Sequence, residues 1–315
     1  MHRIVVLRAL KLGDFLTGVP AYRAIRRAYP SSYIQLAAPR EFASLASLLD
    51  GAIDEVRDTR ELEPLDSHLY DADIGIDLHG KGPASHRLLV EARARRLIAF
   101  RTPETPESGD GAEHDDEEHE VARWCRLLQH AGIPAEPDDL DIAVPATTSL
   151  TEIARDATVV HPGASSRARC WPLERWVDVV RSERQAGRRV LLTGGPDEVR
   201  RAHAIASAAE IPTDCVFAGR TDLLELAELA GAAGRVVCSD TGIAHLATAF
   251  RRPSVVLFGP TPPTHWGPPP RPIHRVLWTG GRGDPHANVV DAGLLSISAA
   301  DVIEALRTLP EDALC

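Results

Sequence analysis

The sequence predicts an α/β protein built from two Rossmann-like domains, each with a parallel sheet, facing each other across a cleft. Three observations predict it. Short apolar runs rich in β-branched residues alternate with amphipathic helical stretches through the first hundred residues. That rhythm belongs to a parallel sheet covered by helices on both faces. The same rhythm restarts after a Pro- and Asp-rich stretch that ends near residue 150. At 315 residues the chain also exceeds one typical core. The expected domains are therefore 1–150 and 151–315, with the last helix free to pack back on the first of them.

The elements follow in order. "RIVVLRA" reads as a strand; a loop then carries Gly13 and Asp14, and "TGVPAYRAIRRAYP" is a helix stopped at Pro30. "YIQLAAP" is a strand and "FASLASLLDG" a helix closed by Gly51. "ADIGIDLHG" is a third strand, "ASHRLLVEARARR" a basic amphipathic helix and "RLIAF" a fourth strand. Residues 104–120 hold nine acids and no Lys or Arg. Their first part is expected to be a mobile loop and their end to run into the helix "EVARWCRLLQHAG". Past the linker, "DATVVHPGAS" is strand then loop, and "PLERWVDVVRSERQAG" a helix. "RRVLLTGGPDE" repeats strand and loop before the helix "EVRRAHAIASAA". "TDLLELAELAGAA" is a helix, "RVVCSD" a strand, "GIAHLATAF" a helix and "SVVLFGP" a strand. The turn-rich "FGPTPPTHWGPP" reads as a wall of the cleft.

Composition removes several classes of function. No apolar run approaches the roughly 20 residues of a membrane span, and no secretory leader pattern precedes the first strand. The five cysteines, Cys125, Cys170, Cys215, Cys238 and Cys315, form no CxxC pair, which predicts reduced thiols in a cytoplasmic protein. The net charge of −10 is uneven: residues 1–150 carry 17 Lys/Arg against 26 Asp/Glu, and residues 151–315 carry 18 against 19. An acidic first half repels nucleic acid and anionic lipid and attracts cations, although plain solubility is the simpler reading of the same charge. GxGxxG is absent, so nicotinamide and flavin binding are disfavoured. "GIDLHGKG" misses the P-loop pattern, because Gly82 stands where a hydroxyl would hold magnesium. "DAD" at 71–73 precedes a strand and reads as a solvated turn. No histidine pair has metal-ligand spacing, so neither metal nor cofactor is expected.

Four strand-to-helix loops carry the candidate chemistry. In "VVCSDTGIAHLATAF" a strand ends at Ser239-Asp240, and Thr241-Gly242 open a helix whose N–H groups and dipole favour phosphate. His245 lies one turn on, on the same face. An ordinary N-cap with a packed histidine explains the same residues. "VVHPGASSRARCWP" places Gly163, Ala164, Ser165 and Arg169 on a second loop, a set suited to a pyrophosphate; a plain surface loop is the alternative. "LLTGGPDEV" puts Glu198 at a helix start, where it complements the dipole or accepts from ribose hydroxyls. In "VVLRALKLGDFLTGVP", Asp14 is either a helix cap or a base.

Together and in this order, "LKLGDFLTGVPAYRAIRRAYP", "YDADIGIDLHG", "EEHEVARWCRLLQHAGIP", "HPGASSRARCWPLERW", "LLTGGPDE" and "SDTGIAHLATAFRRPSVVLFGPTPPTHWG" resemble glycosyltransferase family nine, the heptosyltransferases. The resemblance spans nearly the whole chain. It implies a GT-B fold with the acceptor on 1–150 and the donor on 151–315. It also implies inverting, metal-independent transfer of a heptose, or a related hexose, from an ADP- or GDP-linked sugar. By resemblance Asp14 is the general base, and Arg169, Asp240, Thr241, Gly242 and His245 bind the donor, with Glu198 and Thr221 less tightly placed. Arg169 stands where the family often has Lys, and Ala164 where it often has a hydroxyl.

The best-known members act on an anionic lipopolysaccharide core. The acidic first half argues instead for a soluble, cationic acceptor such as an aminocyclitol or aminoglycoside intermediate of antibiotic biosynthesis, drawn in by 104–120. The lipopolysaccharide core stays as the alternative, beside a GT-B sugar-nucleotide epimerase and a catalytically silent nucleotide-sugar-binding protein.

Overall fold

The computed structural model describes residues 2–310. The chain divides into two compact units, with the boundary between Ala143 and Val144.

In the first unit the strands are β1 (Arg3–Leu7), β2 (Tyr33–Ala38), β3 (Glu55–Asp58), β4 (Ile74–Asp77) and β5 (Leu97–Ile98). The helices are α1 (Leu12–Thr17), α2 (Val19–Ala28), α3 (Ala43–Ala46), α4 (Ala84–Glu91) and α5 (Glu120–His130). All pairings are parallel, in the order β3-β2-β1-β4-β5. The central strand is fully buried from Ile4 to Leu7, as expected of a parallel strand covered on both faces.

The second unit has β6 (Thr158–His161), β7 (Val190–Leu192), β8 (Arg235–Ser239), β9 (Ser254–Leu257) and β10 (His274–Leu277). Its helices are α6 (Ser149–Ala154), α7 (Leu173–Gln185), α8 (Val199–Ala208), α9 (Leu223–Ala232), α10 (Gly242–Ala249), α11 (Pro263–Trp266), α12 (Ala292–Ser296) and α13 (Ala299–Arg307). The order is β10-β9-β8-β6-β7, again all parallel. Trp171 and Trp176, both fully buried, meet edge to face at 4.9 Å. The Trp171 indole N–H donates to Ile297 O at 3.0 Å, so the loop after β6 is pinned to the core at its far end. The last helix, α13, packs on α7, β9 and β10.

Several local expectations are corrected. Among the described residues each sheet has five strands rather than four. The unexpected ones, β3 (EVRD) and β10 (HRVL), are partly exposed edge strands that carry charges and lack an apolar run. Gly13 and Asp14 lie inside the first turn of α1, not on a loop. The basic helix stops at Glu91, and Arg93 takes a left-handed φ of 57°. The acidic stretch is tied down: Arg101 N–H bonds Ala112 O, a short 3-10 turn forms at Pro106–Ser108, and Glu113, Asp116 and Glu118 pair with Arg101, Lys81 and Arg126. Cys125, Cys170, Cys215 and Cys238 are free thiols; Cys315 lies outside the described residues. No helix among the described residues is long and apolar enough to cross a membrane.

Candidate active site

In a doubly wound sheet, a crevice opens at the carboxyl ends of the two strands where the chain order reverses. In the first unit those strands are β1 and β4. Arg8 follows β1 and is fully buried. Its guanidinium donates to Thr17 Oγ1 at 2.9 Å, to Glu120 Oε1 at 3.0 Å, and to the carbonyls of Asp14 and Leu78. It also lies 4.8 Å from the Trp124 ring centroid. One Asp14 oxygen stands 3.9 Å from Arg8 Nη2, and the other accepts from Lys11 N–H at 3.2 Å. Asp14 therefore does cap, at the third position of its helix.

Of the three charged side chains, Asp14 is the most open to solvent: its side chain is 21% exposed, against 6% for Glu120 and none for Arg8. Burial lifts the Asp14 carboxyl above the ordinary carboxylate range, with Arg8 pulling it down and Glu120 pushing it up.

Beside it, Asp77 ends β4. Burial pushes its carboxyl up to about 6, and it accepts from His79 N–H at 2.7 Å. His79 accepts from Ala9 N–H at Nδ1 (3.2 Å), so its proton sits on Nε2. Burial, helped by Arg8, lowers His79 to about 4 and keeps the ring neutral. Sequence reasoning did not select Arg8, Glu120, Asp77 or His79. The available signal was a charge closing an apolar run at Arg8 and at Asp77.

In the second unit the order reverses between β6 and β8. Arg169, in the 3-10 turn Arg167–Arg169, bridges the two loops there. It lies 3.6 Å from Asp240 Oδ2, donates to Asp240 O at 3.2 Å and donates to Ser165 Oγ at 2.7 Å. Asp240 is buried, and burial raises its carboxyl while Arg169 lowers it. Thr241 is the N-cap of α10, with its hydroxyl turned back to Ser239 O at 3.2 Å. Gly242 starts the helix. His245, one turn in, meets the Trp266 ring edge-on at 6.0 Å.

Glu198, which closes the 3-10 turn after β7, accepts from Gly195 N–H at 2.7 Å. Its carboxylate lies directly on Gly163, where an added Cβ would fall 1.7 Å from Oε1. His161, at the end of β6, stands 3.5 Å from Glu198 Oε2 and bonds Thr193 Oγ1 at 3.0 Å. Burial lowers the His161 pKa. His161 and Thr193 were not selected from sequence either. Thr221 is half-buried, two residues past Gly219, whose N–H bonds Gly194 O at 2.9 Å. Ala164 and Ser165 sit on the outer part of the loop after β6. The structure thus gathers Gly163 with Glu198, and Ser165 with Arg169 and Asp240. It gives Thr221 no side-chain bond to either group. Among the described residues, no group of three His, Cys, Asp or Glu is placed to hold a metal.

Two doubly wound, all-parallel α/β units, with charged side chains collected at each strand-order reversal, place the protein in the GT-B fold class. The family model "Glycosyltransferase family 9 (heptosyltransferase)" matches residues 110–281, more than half of the chain, and the chain belongs to that family. Lipopolysaccharide heptosyltransferase 3 of Escherichia coli K12 is 32% identical over 162 residues, 49% of this chain and 47% of that protein. Lipooligosaccharide heptosyltransferase 2 of Haemophilus ducreyi is 27% identical over 206 residues, 58% of this chain and 56% of that protein. The chain thus spans about half the length of the curated relatives it matches. The solved E. coli ADP-heptose lipopolysaccharide heptosyltransferase II has a TM-score of 0.78 at 22% identity, covering 97% of both chains. An E. coli heptosyltransferase with ADP has a TM-score of 0.72 at 20% identity, covering 97% of this chain and 99% of that one. At these identities the structural likeness is one of fold.

Proposed function

We propose that this protein is an inverting glycosyltransferase that moves a heptose from a nucleoside diphosphate sugar, ADP-linked in the first instance, to a sugar hydroxyl. The observation that carries the reading is the Arg169–Asp240 bridge at the reversal between β6 and β8, inside the segment that matches the family. An anion there meets a guanidinium and the N-terminal end of α10, which together offset the charge that develops on a departing diphosphate. No metal is required by this scheme. Glu198 is assigned to the ribose hydroxyls, Thr221 and His245 to the donor's margin, and Asp14 to the proton of the acceptor hydroxyl.

For the acceptor, the relatives favour the lipopolysaccharide core over an aminocyclitol. Lipopolysaccharide and lipooligosaccharide heptosyltransferases are the named relatives, and no comparison supports an antibiotic intermediate. Asp50, Asp54, Asp71, Asp73, Asp116, Glu118 and Asp139 all sit in ion pairs with Arg or Lys, yet 26 acids against 17 bases in residues 1–150 still leave an excess of nine, so the relatives rather than the charge carry this choice.

A thermal-shift screen of ADP-, GDP-, UDP- and TDP-sugars, followed by product analysis with a lipopolysaccharide-core saccharide and with an aminocyclitol, tests the reading. Stabilisation by an ADP-heptose and transfer to the core saccharide are expected. Epimerised donor without transfer, or binding without turnover on any acceptor, would replace it. Asp14→Asn keeps the acceptor of the Lys11 N–H bond and removes the base. Turnover is expected to fall about a hundredfold or more with little change in melting temperature; turnover within a few-fold of wild type removes Asp14 from the chemistry.

A further inference from the structure

We propose that Arg8 and Glu120 are positioning residues for Asp14: a buried ion pair that fixes where the Asp14 carboxylate sits and governs its charge. The proposal rests on Asp14 as the base and adds what controls it.

The geometry is closed on all sides. Arg8 is wholly buried, and its guanidinium nitrogens are shared among the backbone of α1 (Asp14 O), the side chain of Thr17, the chain just past β4 (Leu78 O) and the first turn of α5 (Glu120). A side chain held by four partners from three parts of the fold has no freedom to move, so the charge stays 3.9 Å from Asp14. Glu120 is fixed in turn. Its Oε1 accepts from the Trp124 indole N–H at 2.8 Å, and its other oxygen pairs with Arg123. The two legs through Arg8 Nη2, 3.0 and 3.9 Å, place a Glu120 oxygen no more than 6.9 Å from Asp14. Both charges are thus close enough to act on Asp14 through a low-dielectric medium, with opposite signs.

The other groups that bear on Asp14 are few. Tyr22 on α2 is buried and its hydroxyl has no hydrogen-bond partner. Lys11 offers its backbone N–H. Asp77, the last residue of β4, and His79 just past it feel Arg8 as well. A buried ion pair serving only to hold the fold is the competing account, and apolar replacement commonly leaves such pairs neutral or more stable. The two accounts separate on the titration of Asp14. If the pair governs its charge, Glu120→Gln leaves Arg8 uncompensated and lowers the Asp14 titration. Replacing both residues by apolar ones removes the nearer, stabilising cation and raises it.

The test is a carboxyl-carbon NMR titration of the full chain labelled at aspartate, with the Asp14 signal assigned by its loss in Asp14→Asn. Melting curves confirm that each variant folds. Glu120→Gln is expected to move the Asp14 midpoint down by about one pH unit, and Arg8→Met/Glu120→Leu to move it up by about one. The double variant leaves no lone buried charge, so it stays informative if Glu120→Gln fails to fold. The acid limb of kcat/KM for ADP-heptose and a lipopolysaccharide-core saccharide is expected to follow. Midpoints that stay put, or that move the same way in both variants, overturn the proposal. Midpoints that move as expected while Asp14→Asn stays active refute the base assignment and leave the electrostatic control standing.

Discussion

Gly163→Ala isolates the contact between the loop after β6 and Glu198. Gly163 does not hold a positive φ, so the backbone accepts alanine. The new Cβ, however, would fall 1.7 Å from Glu198 Oε1 and 2.0 Å from Cδ. Those atoms are the far end of a flexible side chain, so the carboxylate swings away and the strands stay. What is lost is the charge-assisted bond to Gly195 N–H at 2.7 Å. Such bonds contribute about 1.5–3 kcal/mol, and the 20% exposure of the Glu198 side chain puts this one at the lower end. For a unit of this size a loss of about 1 kcal/mol lowers Tm by roughly 2–4 °C. The larger effect falls on nucleotide. If Glu198 accepts from ribose hydroxyls, its displacement weakens nucleoside diphosphate binding about 10- to 150-fold, the affinity equivalent of one such bond. Glu198→Ala should cost about the same, and Gly163→Ala should cost almost nothing further in that background, because the clash is gone. Titration calorimetry of the two single variants and the double variant with ADP gives the cycle. Additive losses, or wild-type affinity in Gly163→Ala, would refute the assignment of Glu198 to the donor.

Two further predictions follow from packing and titration. Gly18→Ala would place a Cβ 2.4 Å from the Tyr22 hydroxyl inside the core, so it should destabilise by about 1–3 kcal/mol in urea. Tyr22→Phe, which removes a hydroxyl without a hydrogen-bond partner, should be near neutral alone and recover part of that loss; an unchanged loss would place the strain elsewhere. His274 bonds Ser254 Oγ at 2.8 Å and is held down to about 4 by burial, with Arg271 adding to the effect. Its folded pKa lies below the unfolded value of about 6.5, so the stability it contributes is complete above pH 6.5 and is lost as pH falls toward 4, at most about 3 kcal/mol. His274→Asn should flatten urea stability across that window; an identical slope in both proteins would exclude His274 as its source.

What the sequence made legible was whatever is local. The strands built around a buried Val- or Ile-rich run, β1, β6, β8 and β9, were found because a parallel strand covered on both faces carries such a run. The edges β3 and β10 were missed because an edge strand has one open side and needs no apolar run. Glycine-bearing strand-to-helix loops identified Gly163, Arg169, Glu198 and Asp240 as candidates, since a loop of that kind has one composition whether or not its partners are known.

Partners are what sequence reading lacks. Arg8 and Glu120 are 112 residues apart and 3.0 Å apart in space. Neither belongs to a short motif, and a lone Arg at the end of a strand or a lone Glu at the start of a helix has ordinary explanations. Asp14 illustrates the consequence. Read alone, it was a cap or a base, and the two were alternatives. In the fold it caps Lys11 with one oxygen and faces Arg8 with the other. The cap therefore does not compete with the proposed chemistry: it orients the carboxylate that the buried pair then charges. A carboxylate serving only as a cap needs neither a buried guanidinium nor a second buried acid behind it, and that surplus of buried charge is the physical reason to look for catalysis at this turn.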